Sequence, residues 1–173
     1  MSQTENANVW KGLASGIVAG LVASYVMNQF QSGLKTLLAD SKQAKSSNED
    51  ENSGDKEPAT VKAAEAISEG VADHELTKSE KKVAGPAMHY AMGATSGAIY
   101  GIAAELQSAV TFGAGAPFGA AVWLLADEVA VPSLHLSGPP WESPVSTHVQ
   151  GLAAHFVYGL TTDALRRVVR SAL

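Results

Sequence analysis

Seven ionisable residues, His89, Glu105, Asp127, Glu128, His148, His155 and Asp163, lie within or beside long uncharged stretches of the chain. Their types suit proton transfer or cation binding. Histidine titrates near neutral pH, and an ionisable group inside a membrane is a functional candidate by default. His148 and His155 are seven residues apart, on one helical face but about 10 Å apart in height, so they suit a relay better than a shared metal. His89 and Glu105 lie about 160° and about 24 Å apart on one helix and cannot share a site. Asp127-Glu128 places two adjacent carboxylates near the expected end of a helix, against its dipole. Something cationic must compensate them: His89, His148 or a bound metal. His89, Asp127, Glu128 and His148 carry suitable N and O ligands, so a metal or haem site there is one reading, although the Glu-x-x-His spacing of di-iron bundles is absent. The plainer readings are carboxylates meeting headgroup water at span ends and a neutral His155 donating to a carbonyl on a neighbouring helix.

The elements that must hold these residues follow from where charge is missing. The 173 residues include 12 basic and 17 acidic side chains, and 19 of these charges fall between Lys35 and Lys82. Elsewhere four runs carry no charge at all: Gly12 to Leu34, Val83 to Ala104, Leu106 to Ala126 and Ser143 to Thr162. Each is about as long as a helix crossing a bilayer, roughly 20 residues. A net charge of -5 lacks the basic footprint of a nucleic-acid binder. The absence of Cys removes disulfides, thiolate metal sites and Cys nucleophiles. No phosphate loop, nucleotide fingerprint or nucleophile elbow is present.

The fold class expected is all-α: a small multi-pass bundle of four spans, or three spans with a re-entrant third run, since irregular backbone is tolerated at membrane depth only where protein or a cavity covers it. Residues 1–9 form a polar tail and 10–34 a first, uncleaved span, its apolar run being too long for a secretory signal. Residues 35–57 read as a disordered charged linker. Residues 58–84 read as amphipathic or interfacial helices, with Thr77-x-x-Glu80 as a capping box. Gly85-Pro86 then resets the chain into a membrane unit, 85–173, with spans near 85–105, 111–131 and 146–165. Regular helix in the third of these is expected from about Pro117 to just before Pro132. Two rows of small residues, Gly12, Gly16 and Gly20 and then Gly93, Gly97 and Gly101, recur every four positions and let helix backbones approach closely.

Several stretches taken together resemble a bacterial group of uncharacterised membrane proteins usually grouped with YagU. They are Lys62-Ala63-Ala64-Glu65-Ala66, His74-x-Leu76-Thr77-x-x-Glu80-Lys81, Ala84-Gly85-Pro86-x-x-His89-Tyr90-Ala91-x-Gly93, Tyr100-Gly101, Asp127-Glu128-x-Ala130-x-Pro132 and His155-x-x-Tyr158-Gly159. The resemblance spans roughly residues 58 to 170. It implies a multi-pass protein of the cell inner membrane with no established reaction, loosely associated with acid survival, and it carries no assigned site residues.

Together these readings give an integral membrane protein that is not an enzyme and needs no cofactor. Its His and carboxylate residues form two polar levels that handle protons or a small solute. His89, Asp127, Glu128 and His148 lie towards one side, Glu105, Asp163 and Arg166 towards the other, and His155 between them. The alternative is a scaffold or stress-response protein acting through its glycine rows. Its expected partners are the lipid bilayer and a second copy or another membrane protein, with no nucleic acid.

Overall fold

A computed structural model describes residues 7–43 and 57–173, without the side chains of 39–43. Residues 1–6 of the expected tail and 44–56 of the expected linker lie outside the described residues. Within them every regular element is helical: α1 (Val9–Gln43), α2 (Ala59–Ala72), α3 (Lys78–Leu106), α4 (Ala116–Val122), α5 (Val131–Ser133) and α6 (Val145–Ala172). Ser108–Gly115 and Pro140–Glu142 are 3-10 turns, and Trp123–Ala130 is a π-helical stretch joining α4 to α5. Two segments, Val9–Leu38 and Ser108–Ser133, are long and apolar enough to cross a membrane.

α1 and α3 pack antiparallel along the two glycine rows. The Gly12 position faces Gly101, Gly16 faces Gly97, and Gly20 faces Gly93. The fit is between backbones. A Cβ placed on Gly97 would stand 2.8 Å from Gly20 Cα and 3.0 Å from Gly20 N, well inside the roughly 3.5 to 4.0 Å separation that carbon atoms prefer. A second small-residue contact joins the α4 region to α6, where Gly159 lies against the backbone of Gly115 and Gly119. Ala23, Met27, Ala154 and Tyr158 fill the buried centre, flanked by Phe30, Phe118 and Val122.

Three boundaries differ from those expected. α1 continues past Leu34 to Gln43, because Lys35 to Gln43 contains no Gly or Pro to stop a helix that is already nucleated. α3 is continuous from Lys78 through Gly85-Pro86 where a reset was expected. Pro86 leaves the Lys82 carbonyl without its helical donor, and Lys82 is exposed, so that carbonyl can be solvated instead. The third apolar run begins irregularly, with non-helical backbone at Phe112, Gly113 and Ala114. It turns helical at Ala116 and runs on through Pro132 to Ser133. The π-helical register explains that continuity. Val131 donates to Ala126 O, five residues back, so the ladder is already widened where the proline ring would clash with the carbonyl four residues before it.

The first of the amphipathic or interfacial helices expected over 58–84 is α2, which starts at Ala59 with Pro58 as its N-cap and ends where Asp73 turns left-handed at φ 50°. The capping box at α3 forms. Thr77 N donates to Glu80 Oε2 at 2.7 Å, and Glu80 N donates to Thr77 Oγ1 at 3.4 Å. Lys81 then ties α3 to α2 through Glu65 at 2.6 Å and Glu57 at 3.2 Å.

Candidate functional site

A cavity of about 790 Å³ opens between α1, α2, α3, the π-helical stretch and α6. Three of the ionisable residues singled out from the sequence line it: His89 from α3, Asp127 from the π-helical stretch and His155 from α6. The widened π turn carries Asp127 towards α6, and Gly151 makes room for the Trp123 ring of the same stretch. A Cβ on Gly151 would lie 3.1 Å from Trp123 Nε1 and 4.0 Å from Asp127 Oδ2.

His155 Nδ1 is 2.9 Å from Gly151 O, one turn back on its own helix. A carbonyl can only accept, so Nδ1 carries the hydrogen and donates it to Gly151 O. The donation expected across to a neighbouring helix is therefore made within α6. Asp127 Oδ2 lies 3.7 Å from the same Nδ1, too far for a hydrogen bond. Two further polar atoms in the cavity wall, Ser24 Oγ and His89 Nε2, are buried and have no hydrogen-bond partner.

Glu128 and His148 form a separate pair beside the cavity. His148 Nε2 meets Pro140 O at 3.0 Å and must donate to it, while Nδ1 meets Glu128 Oε1 at 2.6 Å. That short contact holds one proton between the two groups, as imidazolium on carboxylate or imidazole on carboxylic acid. The compensation expected for Asp127-Glu128 is thus supplied to Glu128 by His148. The candidate metal set does not assemble: among the described residues no three His, Asp or Glu side chains gather closely enough to hold an ion.

The remaining carboxylates occupy the other end of α6. Asp163 is 1% exposed and accepts from Tyr100 Oη at 2.9 Å and Arg167 Nε at 2.9 Å. Arg166 Nη2 stands 3.5 Å from the same carboxylate, with its guanidinium 5.9 Å from the centre of the Tyr100 ring. Glu105 takes two bonds from Arg170, at 2.6 and 3.1 Å, and one from Asn8 N at 3.0 Å, which pins the start of α1 to the ends of α3 and α6. The site residues therefore fall into a cavity group, the Glu128–His148 pair, and an ion-paired end containing Glu105 and Asp163.

Sequence reasoning gave Ser24, Tyr100, Tyr158, Arg167 and Arg170 no place among the candidate site residues. The four-residue spacing of Asp163 and Arg167 was a readable signal, since such pairs meet on one helical face. Tyr100, which reaches Asp163 from another helix, and Tyr158, whose hydroxyl donates to Gly93 O at 2.7 Å, left no local trace.

These features define the class first: an all-helical protein with two segments able to cross a membrane and with ionisable side chains in its interior. Residues 56–164 match the family described as "Protein of unknown function (DUF1440)", and the chain belongs to that family. The match includes every cavity-lining ionisable residue named above and leaves α1 outside. No curated protein and no solved structure matches the chain.

Proposed function

We propose that the chain is a multi-pass protein of the cell inner membrane whose cavity handles protons or a small solute. The observation that carries the reading is an inverted distribution of polarity. Asp163, Arg166, His155, Thr162, Ser15 and Ser24 are buried, while Trp10, Ile99, Phe112, Leu125, Val149 and Leu160 are exposed. A soluble protein hides charge only at high cost. Hydrocarbon around the bundle reverses that preference for the outer surface, leaving paired or functional polar groups inside.

Four spans account for this better than two. α3 and α6 contain uncharged runs of membrane length, and their mean hydropathy is lowered by Gly, Ser, Thr and His. Their large apolar residues Met92 and Ile99, and Val149, Phe156 and Leu160, are exposed at spacings close to whole turns of a helix. The YagU-like motifs support the same assignment. Within such a bundle the cavity leads to His89, Asp127 and His155, and the paired Asp163 and Glu105 close the opposite end. The glycine rows meet one another within one chain, which favours the solute-handling reading over a scaffold that offers those rows to a partner.

Two experiments test this. Single cysteines at Ser108, Ser137 and Ser171 in the Cys-free chain should label Ser108 and Ser171 from one side and Ser137 from the other. Proton flux into liposomes should exceed that of empty vesicles and fall in His155→Ala and Asp127→Asn. Flux equal to that of empty liposomes removes the proton-handling function, and labelling of Ser108 and Ser137 from one side removes the four-span topology.

A further inference from the structure

Among the described residues, Asp127 differs from the other carboxylates around the bundle core in having no cationic or imidazole partner within hydrogen-bond distance. Glu105 is held by Arg170, Asp163 by Arg166 and Arg167, and Glu128 by His148. The nearest such group to Asp127 is His155 Nδ1, 3.7 Å away, and that N–H is already given to Gly151 O. The carboxylate nevertheless stays accessible from the cavity, its side chain 45% exposed. A carboxylate in apolar surroundings is stable only when it is protonated or paired with a cation.

The rest of the lining describes the cation. Met27, Met92, Val122, Val131, Leu134 and Tyr158 give the cavity largely apolar walls, and its volume of about 790 Å³ is that of a site for a drug-sized molecule. Ser24 is 1% exposed, and its hydroxyl, like His89 Nε2, is without a partner in the wall that Asp127 faces. The rim is set by Lys35 on α1, itself exposed, which leaves Asp127 as the acidic side chain of the lining among the described residues.

We infer that this cavity binds a hydrophobic organic cation, with Asp127 as its counter-ion. The inference rests on the membrane reading above and names the solute class for the same site. One carboxylate holds either a proton or the cation, so binding the cation releases the proton and the two compete. The charged or titratable groups facing Asp127 are His155 from α6, His89 from α3 and its chain neighbour Glu128. α2 brings Pro58, Ala59, Thr60, Val61 and Ala63 to the lining, none of them titratable, and α1 brings Lys35 at the rim.

The test uses the purified full chain in lipid nanodiscs and two probes of matching shape and opposite charge, tetraphenylphosphonium and tetraphenylborate. Equilibrium dialysis should show saturable binding of the cation, with the anion at least about tenfold weaker. Affinity for the cation should fall by up to about tenfold per pH unit once Asp127 is protonated. Asp127→Asn should lower it at least about tenfold, and Asp127→Glu should restore most of it. Proton release on adding the cation to the wild-type chain in weak buffer is a second measurement, independent of how any variant folds. Equal binding of the two probes, or cation binding without proton release and unchanged in Asp127→Asn, overturns the inference. Proton flux without cation binding would overturn it while leaving the proton-handling function standing; cation binding without proton flux would do the reverse.

Discussion

Alanine in place of Gly97 should destabilise the protein, whereas the same change at Gly33 should stabilise it. The new Cβ at Gly97 would meet Gly16 O, Gly20 Cα at 2.8 Å and Gly20 N at 3.0 Å. All three are backbone atoms, so no side chain can swing aside. Restoring ordinary carbon contacts requires α1 and α3 to part by about 0.7 to 1 Å. That separation also loosens the neighbouring Gly12–Gly101 and Gly20–Gly93 contacts. Overpacking costs about 1 to 3 kcal/mol, and the absence of any rotamer escape argues for the upper end. Alanine's better helix propensity returns roughly 0.5 to 1 kcal/mol, which leaves a net loss near 2 kcal/mol. At Gly33 a Cβ meets nothing within 4 Å, so only the gain of about 0.5 to 1 kcal/mol remains. The two variants should therefore differ by about 3 kcal/mol, measured by denaturant unfolding in mixed micelles with helical ellipticity as the signal. Equal stabilities would show that α1 and α3 do not touch through backbone at this crossing.

The ion-paired end gives two further tests. Asp163→Ala strands Arg166 and the Tyr100 hydroxyl in the interior and should cost about 3 to 5 kcal/mol, whereas Tyr100→Phe removes one bond and should cost about 1 kcal/mol; the same unfolding assay compares them. Glu105→Gln weakens the Arg170 and Asn8 contacts and should speed amide exchange at Asn8 and in the first turn of α1, by an amount corresponding to about 1.5 to 3 kcal/mol. At the start of α3, the backbone hydrogen bond from Thr77, with its hydroxyl and His74 adding to it, lowers the Glu80 carboxyl from 4.5 to about 2. The folded value lies below the unfolded one, so this contribution is complete above pH 4.5 and is lost as pH falls towards about 2. Amide exchange at Thr77 should stay slow at pH 4 and become fast near pH 2, and Glu80→Gln should remove that acid transition.

Some of this architecture was legible in the sequence because it is periodic or local. The uncharged runs gave an all-helical chain, and Thr77-x-x-Glu80 gave a helix start, since a capping box is closed by residues three apart. Gly12, Gly16 and Gly20 could be read as a face, but the row that meets them could not, because small residues show close approach without naming the neighbour. The same limit applies to the site. His148 and His155 share a helix face, which favoured a relay between them, yet His148 turns to Glu128 and His155 to the cavity. That choice depends on the π-helical turn at Asp127, and the π register has no sequence rule comparable to a cap or a proline. Asp127 and Glu128 look equivalent as adjacent letters. Successive residues on a helical stretch point in different directions, which sends Glu128 to His148 and leaves Asp127 facing the cavity with no partner in hydrogen-bond reach. The difference that gives Asp127 a proposed role is thus a property of helix geometry acting on two like charges, and it becomes visible only once the partners of both are known.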